Sequence, residues 1–464
     1  MIHKFQNILL ILCWMVISAC QVDRSPAEIT NQELAAKILT DDSLKTVEQM
    51  ARGLLAHGFQ AGKSYPQVWI RDLNTFIEIS CNVYDRREIR RQLLSFFTFQ
   101  QQNGEILDGI APKGILGSLH GPLYTSPSDP ENEGFKNTVK SDQETSLIQA
   151  VGKFIKKTSD KSILEVKVNG KTVRQRMALA IEYLMKNRYA TQFDLITGAT
   201  TLDWGDVQPE DIPGTQVSEK THWCCDIYTN AMFVSALETM IEYATSPSEK
   251  QKWLRLKERI TSSIRKNLWN RHDQKFLPHL YMKGSPFPDG FDERSIYFHG
   301  GTAVAIEAGL LSREEIAVVN KRMMDNVRQS GAPSIGLTIY PPYPKGYFKN
   351  EQNATPYKYQ NGGDWSWFGG RMIQQLIIHG FVREAYTEIR PMIQRVIENK
   401  GFYEWYEPSR FEIKLSGIRW YRPGGNPQGS GNFRGEAGVL AKAIQMLREW
   451  ALKETKGNQP TSKP

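Results

Sequence analysis

Residues 141–157, SDQETSLIQAVGKFIKK, carry the pattern on which the fold is read. Leu147, Ile148, Val151, Phe154 and Ile155 recur at the i, i+1, i+4, i+7, i+8 spacing of one buried helical face, and Ser141 or Asp142 stands where an N-terminal cap belongs. The same period returns in FVREAYTEIRPMIQRVIENKG, residues 381–401, with Phe381, Val382, Ala385, Ile389, Met392, Ile393, Val396 and Ile397 on its face. Gly401 supplies the stop, and Pro391 predicts a kink.

Extended along the chain, this periodicity predicts helices near 32–57, 71–83, 86–102, 142–157, 171–189, 222–244, 246–269, 299–309, 312–328, 364–380, 381–399 and 434–453. They pair as six hairpins. Long loops rich in Gly, Pro and aromatics separate them at 104–140, 190–220, 270–298, 330–363 and 401–433. Loops of that length inside a compact domain are unusual unless functional, and their recurrence at alternate junctions puts them on one face. The expectation is an all-α (α/α)6 toroid over 32–454, followed by a disordered tail at 455–464.

At the N-terminus, Lys4 precedes the apolar run ILLILCWMVISA, residues 8–19, too short for a normal membrane span and ending in small residues at Cys20. ISAC resembles the bacterial lipobox, in which the cysteine becomes the lipid-bearing first residue. Residues 1–20 therefore read as a lipoprotein-type signal, 21–31 as a polar tether and Cys20 as the link to a lipid bilayer; an ordinary cleaved signal and an uncleaved anchor are the alternatives. In such lipoproteins Asp after the cysteine favours the inner membrane; Gln21 leans instead towards the outer membrane of a bacterial envelope, facing periplasm or exterior. Beyond Cys13 and Cys20 only Cys81, Cys224 and Cys225 remain, which is no disulfide framework. The adjacent pair, in a helical pattern, reads as small buried side chains. No CxxC or HExxH spacing announces a metal, and no cofactor motif is present. The net charge of +8 comes from Lys and Arg interleaved with Asp and Glu, which describes a solvated surface rather than a nucleic-acid partner.

The loops embed carboxylates among aromatics: Asp72 in VWIRDL, Asp203 and Asp206 in TTLDWGD, Asp364 in YQNGGDWSWFGG, Glu404 and Glu407 in GFYEWYEP, and Glu436 in NFRGEAG. Sugar rings have apolar faces that stack on Trp and Tyr while their hydroxyls bond to Asp, Glu, Asn and Arg, so this mixture suits a carbohydrate cleft. No GxxxxGK[ST] or GxSxG supports a phosphate cradle or a serine nucleophile.

Taken in order, VWIRD, KSDQETSLI, TTLDWGD, YQNGGDWSWFGG and GFYEWYEP, with GSGNFRGEAGVLAKAI after them, resemble the six-hairpin (α/α)6 glycosidases: neutral/alkaline invertases, the glucosidase domain of glycogen debranching enzymes and processing α-glucosidases. YQNGGDW is similar to the invertase YHNGGSWP, and FYEWYEP to WPEYYD and WEnYnP. The resemblance covers most of 65–450. It implies an inverting, exo-acting hydrolase of an α-glucoside or related oligosaccharide, in which a carboxylic acid protonates the leaving oxygen. A carboxylate about 6.5–9.5 Å away activates water. The acid motif ending Met-Ile-Asp places the acid at Asp203, with Asp206 as the alternative; Trp204 would wall it. The base falls on Glu404, with Glu436 as rival, though Glu436 could serve a helix terminus instead. Substrate contacts are implied at Trp69, Arg71 and Asp72, the family's VRDF; at Asp142, its VDSG; and at Trp204, Asp206, Asn361, Asp364, Trp365, Trp367, Trp405 and Glu436. Arg422 and Arg434 could bind hydroxyls or an acidic group. The replacement of the invertase MIDRR by TTLDWGDVQPE argues against a true invertase. A phosphorylase or polysaccharide lyase on the same barrel, and a sugar-binding lipoprotein without turnover, remain open alternatives.

Overall fold

Two kinds of helix alternate along the chain. The structure, a computed structural model, describes residues 29–118, 121–408 and 424–456. Cys20, its signal, most of the tether, Arg422 and residues 457–464 lie outside them. Thirteen α-helices occur among the described residues: α1 Asn31–Thr40, α2 Asp42–Leu55, α3 Ile70–Val83, α4 Arg86–Thr98, α5 Gln143–Thr158, α6 Val173–Asn187, α7 Ile227–Glu242, α8 Pro247–Asn267, α9 His299–Glu307, α10 Arg313–Ser330, α11 Ser366–Ile378, α12 Val382–Asn399 and α13 Arg434–Lys456. Asp41–Leu447 forms one compact unit; α1 and the chain from Arg448 belong to a second. Within the second, α1 buries Leu34, Ala35 and Ile38.

Within Asp41–Leu447, α3, α5, α7, α9 and α11 pack each against the next. The first stretch of α13 closes the ring: the Gln374 amide on α11 donates to Val439 O at 3.0 Å, and Lys442 pairs with Glu78 on α3. Closure demands close approach. A Cβ on Gly438 would stand 2.7 Å from Phe76 Cα, and one on Gly370 would stand 2.6 Å from Val439 Cγ2. The remaining helices, α2, α4, α6, α8, α10 and α12, form the outer layer, giving the all-α (α/α)6 toroid. Outer helices are amphipathic and mostly capped by their own sequence, Asp41 accepting from Ser43 N at 3.0 Å and Asp85 from Arg87 N at 2.8 Å, with capping boxes at Thr172/Gln175 and Ser312/Glu315. Four of the inner helices differ, while Asp226 caps α7. Trp69, Asp142, Phe298 and Trp365, at the N-caps of α3, α5, α9 and α11, make no side-chain cap bond. The positive ends of these dipoles are thus open to groups from the loops.

Several expectations are corrected. The single buried face read for α5 is a helix buried all round from Gln143 to Gly152, because an inner helix meets ring neighbours, outer layer and barrel centre. The helix placed at 32–57 is two, broken where Asp41 caps the second. The segment from 222 begins as a strand, Trp223–Cys225, between Gly198–Ala199 and Leu280–Tyr281; Cys224 and Cys225 are buried there, and burial pushes both thiols up. The tail's first residues, 455 and 456, are still helical. Long loops carry short antiparallel strands, chiefly β1 Val68–Trp69, β2 Gly109–Pro112, β3 Leu123–Ser126 and β4 Asp129–Phe135, in the order β1-β2-β4-β3. Pairing of Trp69 with Gly109 and of Gly109 with Phe135 delivers aromatic side chains to the start of α3. Among the described residues no helix is long and apolar enough to cross a membrane.

Ring closure at Gly438 predicts that Gly438→Ala, which adds one methyl where Phe76 backbone stands, destabilises by about 1–3 kcal/mol. A lowered melting temperature with retained helical circular dichroism below it is the expected result.

Candidate active site

Arg71, on the first turn of α3, reaches across the ring's loop face. Its Nε and Nη2 donate to Asp142 at 2.6 and 3.0 Å, and its Nη1 donates to Asp206 Oδ1 at 2.6 Å. Tyr228 of α7 adds a hydroxyl to Asp142 Oδ2 at 2.8 Å. Burial works to raise the Asp142 pKa, but the guanidinium and the phenol outweigh it and hold the group low. Asp206 Oδ2 accepts from the Gln360 amide at 2.9 Å, while Asn137 Nδ2 donates to Asp206 O at 2.8 Å.

These groups stand at a cavity of ≈ 260 Å³. Its aromatic wall comes from Trp69, Phe135, Trp204, Trp365, Trp367 and Phe433, and its carboxyls are Asp72, Asp108, Asp206 and Glu404. The Tyr65 hydroxyl lies 2.8 Å from each oxygen of Glu404, and the Tyr359 hydroxyl donates to Oε1 at 3.3 Å. Burial pushes the Glu404 pKa up; the two phenols offset part of the rise, and the charge of Asp206 adds to it. Asp72 is pushed up to about 8 by burial and by the charges of Glu404 and Asp206, against the pull of Arg71. Asp108 is pushed up to about 7 by burial, even with Asn137 N donating to it at 2.6 Å and the Gln143 amide at 2.8 Å. At neutral pH the carboxyl cluster therefore retains a proton.

The expected partner of Glu404 is corrected. Asp203 does not line the cavity: its carboxyl turns away, fully buried, and both oxygens accept from Gly301 N at 2.9 Å at the start of α9. The chain reaches this pose with an Asp203 φ of 56°, and Lys140 Nζ holds its carbonyl at 2.6 Å. A Cβ on Gly301 would sit 2.7 Å from Asp203 Oδ1, so glycine is what admits the carboxyl there. Burial pushes Asp203 up to about 7. Three residues on, after Trp204 and Gly205, Asp206 faces the cavity.

Of the other implied contacts, Trp69, Arg71, Asp72, Trp204, Asp206, Trp365, Trp367 and Glu404 line the cavity. Asp142, Asn361, Asp364, Trp405 and Glu436 do not. Asp142 is committed to Arg71 and Tyr228. Asn361 braces loops, accepting from Tyr343 N at 2.8 Å and donating to Asn353 O at 3.1 Å. Asp364 accepts Ser334 N at 2.7 Å and pairs with buried Arg395 at 2.8 Å. Glu436 bonds Ser366 and accepts Tyr403 N at 2.6 Å, and burial pushes it up to about 7. Trp405 packs at the edge of Tyr359, ring centroids 5.9 Å apart. Arg434 donates to Gln60 O at 2.8 Å and to His57 O. Tyr65, Asp108, Phe135, Asn137, Thr215, Tyr359, Phe433 and Ala61 were not anticipated; of these, Tyr359 sits inside YQNGGDWSWFGG and Phe433 inside NFRGEAG.

Residues 128–406, more than half of the chain, match the model of a protein family described as amylo-alpha-1,6-glucosidase. Comparison with curated protein sequences gives no match. Among solved structures, a rhamnosidase from Klebsiella oxytoca with rhamnose bound aligns at a TM-score of 0.56 and 11% identity, over 88% of this chain and 64% of that one. A GH63 mannosylglycerate hydrolase from Thermus thermophilus in complex with Tris gives 0.56 and 13%, over 86% and 99%. A GH78 family rhamnosidase of Bacillus sp. GL1 gives 0.54 and 13%, over 87% and 34%. The chain thus spans under two thirds of the Klebsiella protein's length, and at these identities the likeness is one of fold.

The phenol on Glu404 sets an expected pH response. Tyr65→Phe removes a hydrogen bond that lowers the Glu404 pKa, so the acidic limb of any activity needing ionised Glu404 moves to higher pH. A pH–rate profile of kcat/KM, on whichever glycoside is turned over, reads the shift.

Proposed function

The chain belongs to the family of glycoside hydrolases described as amylo-alpha-1,6-glucosidase, and we propose that it removes a terminal, uncharged sugar, an α-glucosyl unit, with inversion at the anomeric carbon. The observation that carries this reading is that Asp206 and Glu404, from loops on either side of the ring, share one small aromatic-walled cavity. That cavity suits a single pyranose ring, which favours exo action. Charge selects against acidic sugars: among the described residues four carboxyls line the space, and the one lining cation, Arg71, is already committed to Asp142 and Asp206.

Asp206 is the general acid. Its side chain is 36% exposed, so it can meet a leaving oxygen that points towards solvent, and Arg71 stabilises the carboxylate left once the proton is delivered. Glu404 is the general base. Both its oxygens accept phenolic hydroxyls, which fixes its orientation, and its raised pKa makes it a stronger proton acceptor than an exposed glutamate. Water deprotonated by Glu404 attacks the anomeric carbon from the face opposite the departing oxygen; the C–O bond breaks as Asp206 transfers its proton. The proton on Glu404 then returns to solvent and Asp206 is reprotonated. A phosphorylase reading finds no uncommitted cation among the described lining residues, and burial pushes the Tyr65 and Tyr359 phenols well up, which disfavours either as a lyase base.

Incubation with isomaltose, panose and aryl α-glucosides, followed by proton NMR, is expected to release β-glucose first; release of the α-anomer sinks inversion. Asp206→Asn and Glu404→Gln should each lower kcat by about 10²–10⁴-fold. Asp203→Asn should show its main effect in a lowered melting temperature, because its contacts are structural. Envelope anchoring through Cys20 is part of the same proposal and rests on the ISAC ending. In a bacterial host, Cys20→Ala should move the protein from the membrane fraction to the soluble fraction; unchanged fractionation counts against lipidation.

A further inference from the structure

A second cavity, of ≈ 930 Å³, opens on the same loop face. Its walls are segments that precede inner helices: 209–223 before α7, 282–288 before α9 and 346–349 before α11. One segment serves both cavities, since Asp206 and Thr215 line the first while Glu210 and His222 line the second. That segment is braced as a wall. Gln208, buried within it, donates to Gln216 O at 2.6 Å and accepts from Thr221 at 2.7 Å, and Gln208 N donates to Gly214 O at 2.9 Å.

Resting on the reading of the first cavity as the site of glycoside cleavage, we propose that the second cavity binds the rest of the substrate: the uncharged oligosaccharide chain on the leaving-group side of the scissile bond. Two half-buried aromatic rings, Trp223 and Tyr347, line it, each braced by its neighbours, Tyr347 by Phe291 at a ring-centroid distance of 4.9 Å among them. The Arg188 guanidinium lies 4.7 Å from the Trp223 ring, and Tyr347 stacks on Phe287 with centroids 5.4 Å apart and planes within 16°. Rigid rings of this kind give stacking surface to sugar faces at little entropic cost. Between them stand polar groups able to bond hydroxyls: His222, fixed by Glu210 at 2.7 Å, and Lys283, whose ammonium has no partner among the described residues. Asp206, the group that would protonate the leaving oxygen, is on the shared wall, so a chain leaving the first cavity at that oxygen is directed towards the second. The lysines at the rim do not make an acidic chain the better choice: Lys220 faces Asp211, and Lys349 is bonded to Glu210 O. The first cavity also rejects acidic termini.

The test compares a branched glucosyl-maltotetraose with an aryl α-glucoside in wild type, Tyr347→Ala and Lys283→Ala. The expected result is a ratio of kcat/KM, oligosaccharide over aryl glycoside, that falls about five- to tenfold in Tyr347→Ala and less in Lys283→Ala, whose side chain is exposed, through KM rather than kcat. Titration calorimetry of maltohexaose into Glu404→Gln, with and without Tyr347→Ala, gives a readout independent of turnover. Cleavage of both substrates with an unaltered ratio in both variants overturns the second site and leaves the first. Absence of any cleavage, with maltohexaose binding still weakened by Tyr347→Ala, supports the second site and overturns the catalytic reading. Binding of trigalacturonate but not maltohexaose overturns an uncharged ligand.

Discussion

Arg71 is the constraint on which the loop face depends. A guanidinium on the first turn of α3 is joined to the first residue before α5, through Asp142, and thence to α7 through Tyr228, while its remaining arm reaches Asp206 on a loop. Three inner helices are thus tied at their N-terminal ends by one cation. The fork geometry of Arg matters here, because a compact lysine ammonium lacks the planar edge that meets both Asp142 oxygens while a separate arm reaches Asp206. Removing Arg71 leaves the fully buried Asp142 carboxylate without its cation, which typically costs about 3–5 kcal/mol. The cation that positions the proposed proton donor is therefore also the one that ties these inner helices.

Around this tie the cavity accumulates carboxyls, which would be unfavourable without compensation. Some comes from α3, α5, α9 and α11, whose N-termini carry no side-chain cap and present their positive dipole ends. The rest comes from protonation. Asp72, between Arg71 on one side and the charges of Glu404 and Asp206 on the other, is pushed up to about 8 by its burial and by those charges, which favours a proton kept in the cluster at neutral pH. Storage of this kind is what an acid–base hydrolase needs at neutral pH.

The fold was legible because an inner–outer alternation writes itself into a 3.6-residue period; eleven of the twelve predicted segments overlie single helices, and only the break at Asp41 divides the twelfth. The site was legible as a set of motifs but not as a set of side-chain directions. Asn361 and Asp364 share a loop with cavity residues and Glu436 stands on the first turn of α13, yet each is turned inward to satisfy backbone N–H groups or Arg395, a choice that no local spacing encodes. Tyr65 and Asp108 were invisible for the opposite reason. They stand in stretches that no motif marks and reach the cavity only because the chain returns, Tyr65 to a glutamate 339 positions away.

TTLDWGD shows the limit most clearly. Two aspartates three residues apart have equal claim to an acid motif, and the resemblance to Met-Ile-Asp favours the first. What separates them is Trp204. Its indole lines the cavity from a fully buried position, packed on Phe368 and against the edge of Trp365, and the α9 glycines lie behind it. With that ring fixed, the residue before it is driven to the helix side and left-handed backbone, where Gly301 receives its carboxyl; the glycine after it lets the chain turn back, so that Asp206 emerges on the open side. One aspartate becomes the fastening of the loop and the other its working end. The division rests on glycines at 300 and 301, nearly a hundred residues downstream, so no reading confined to the motif could have made it.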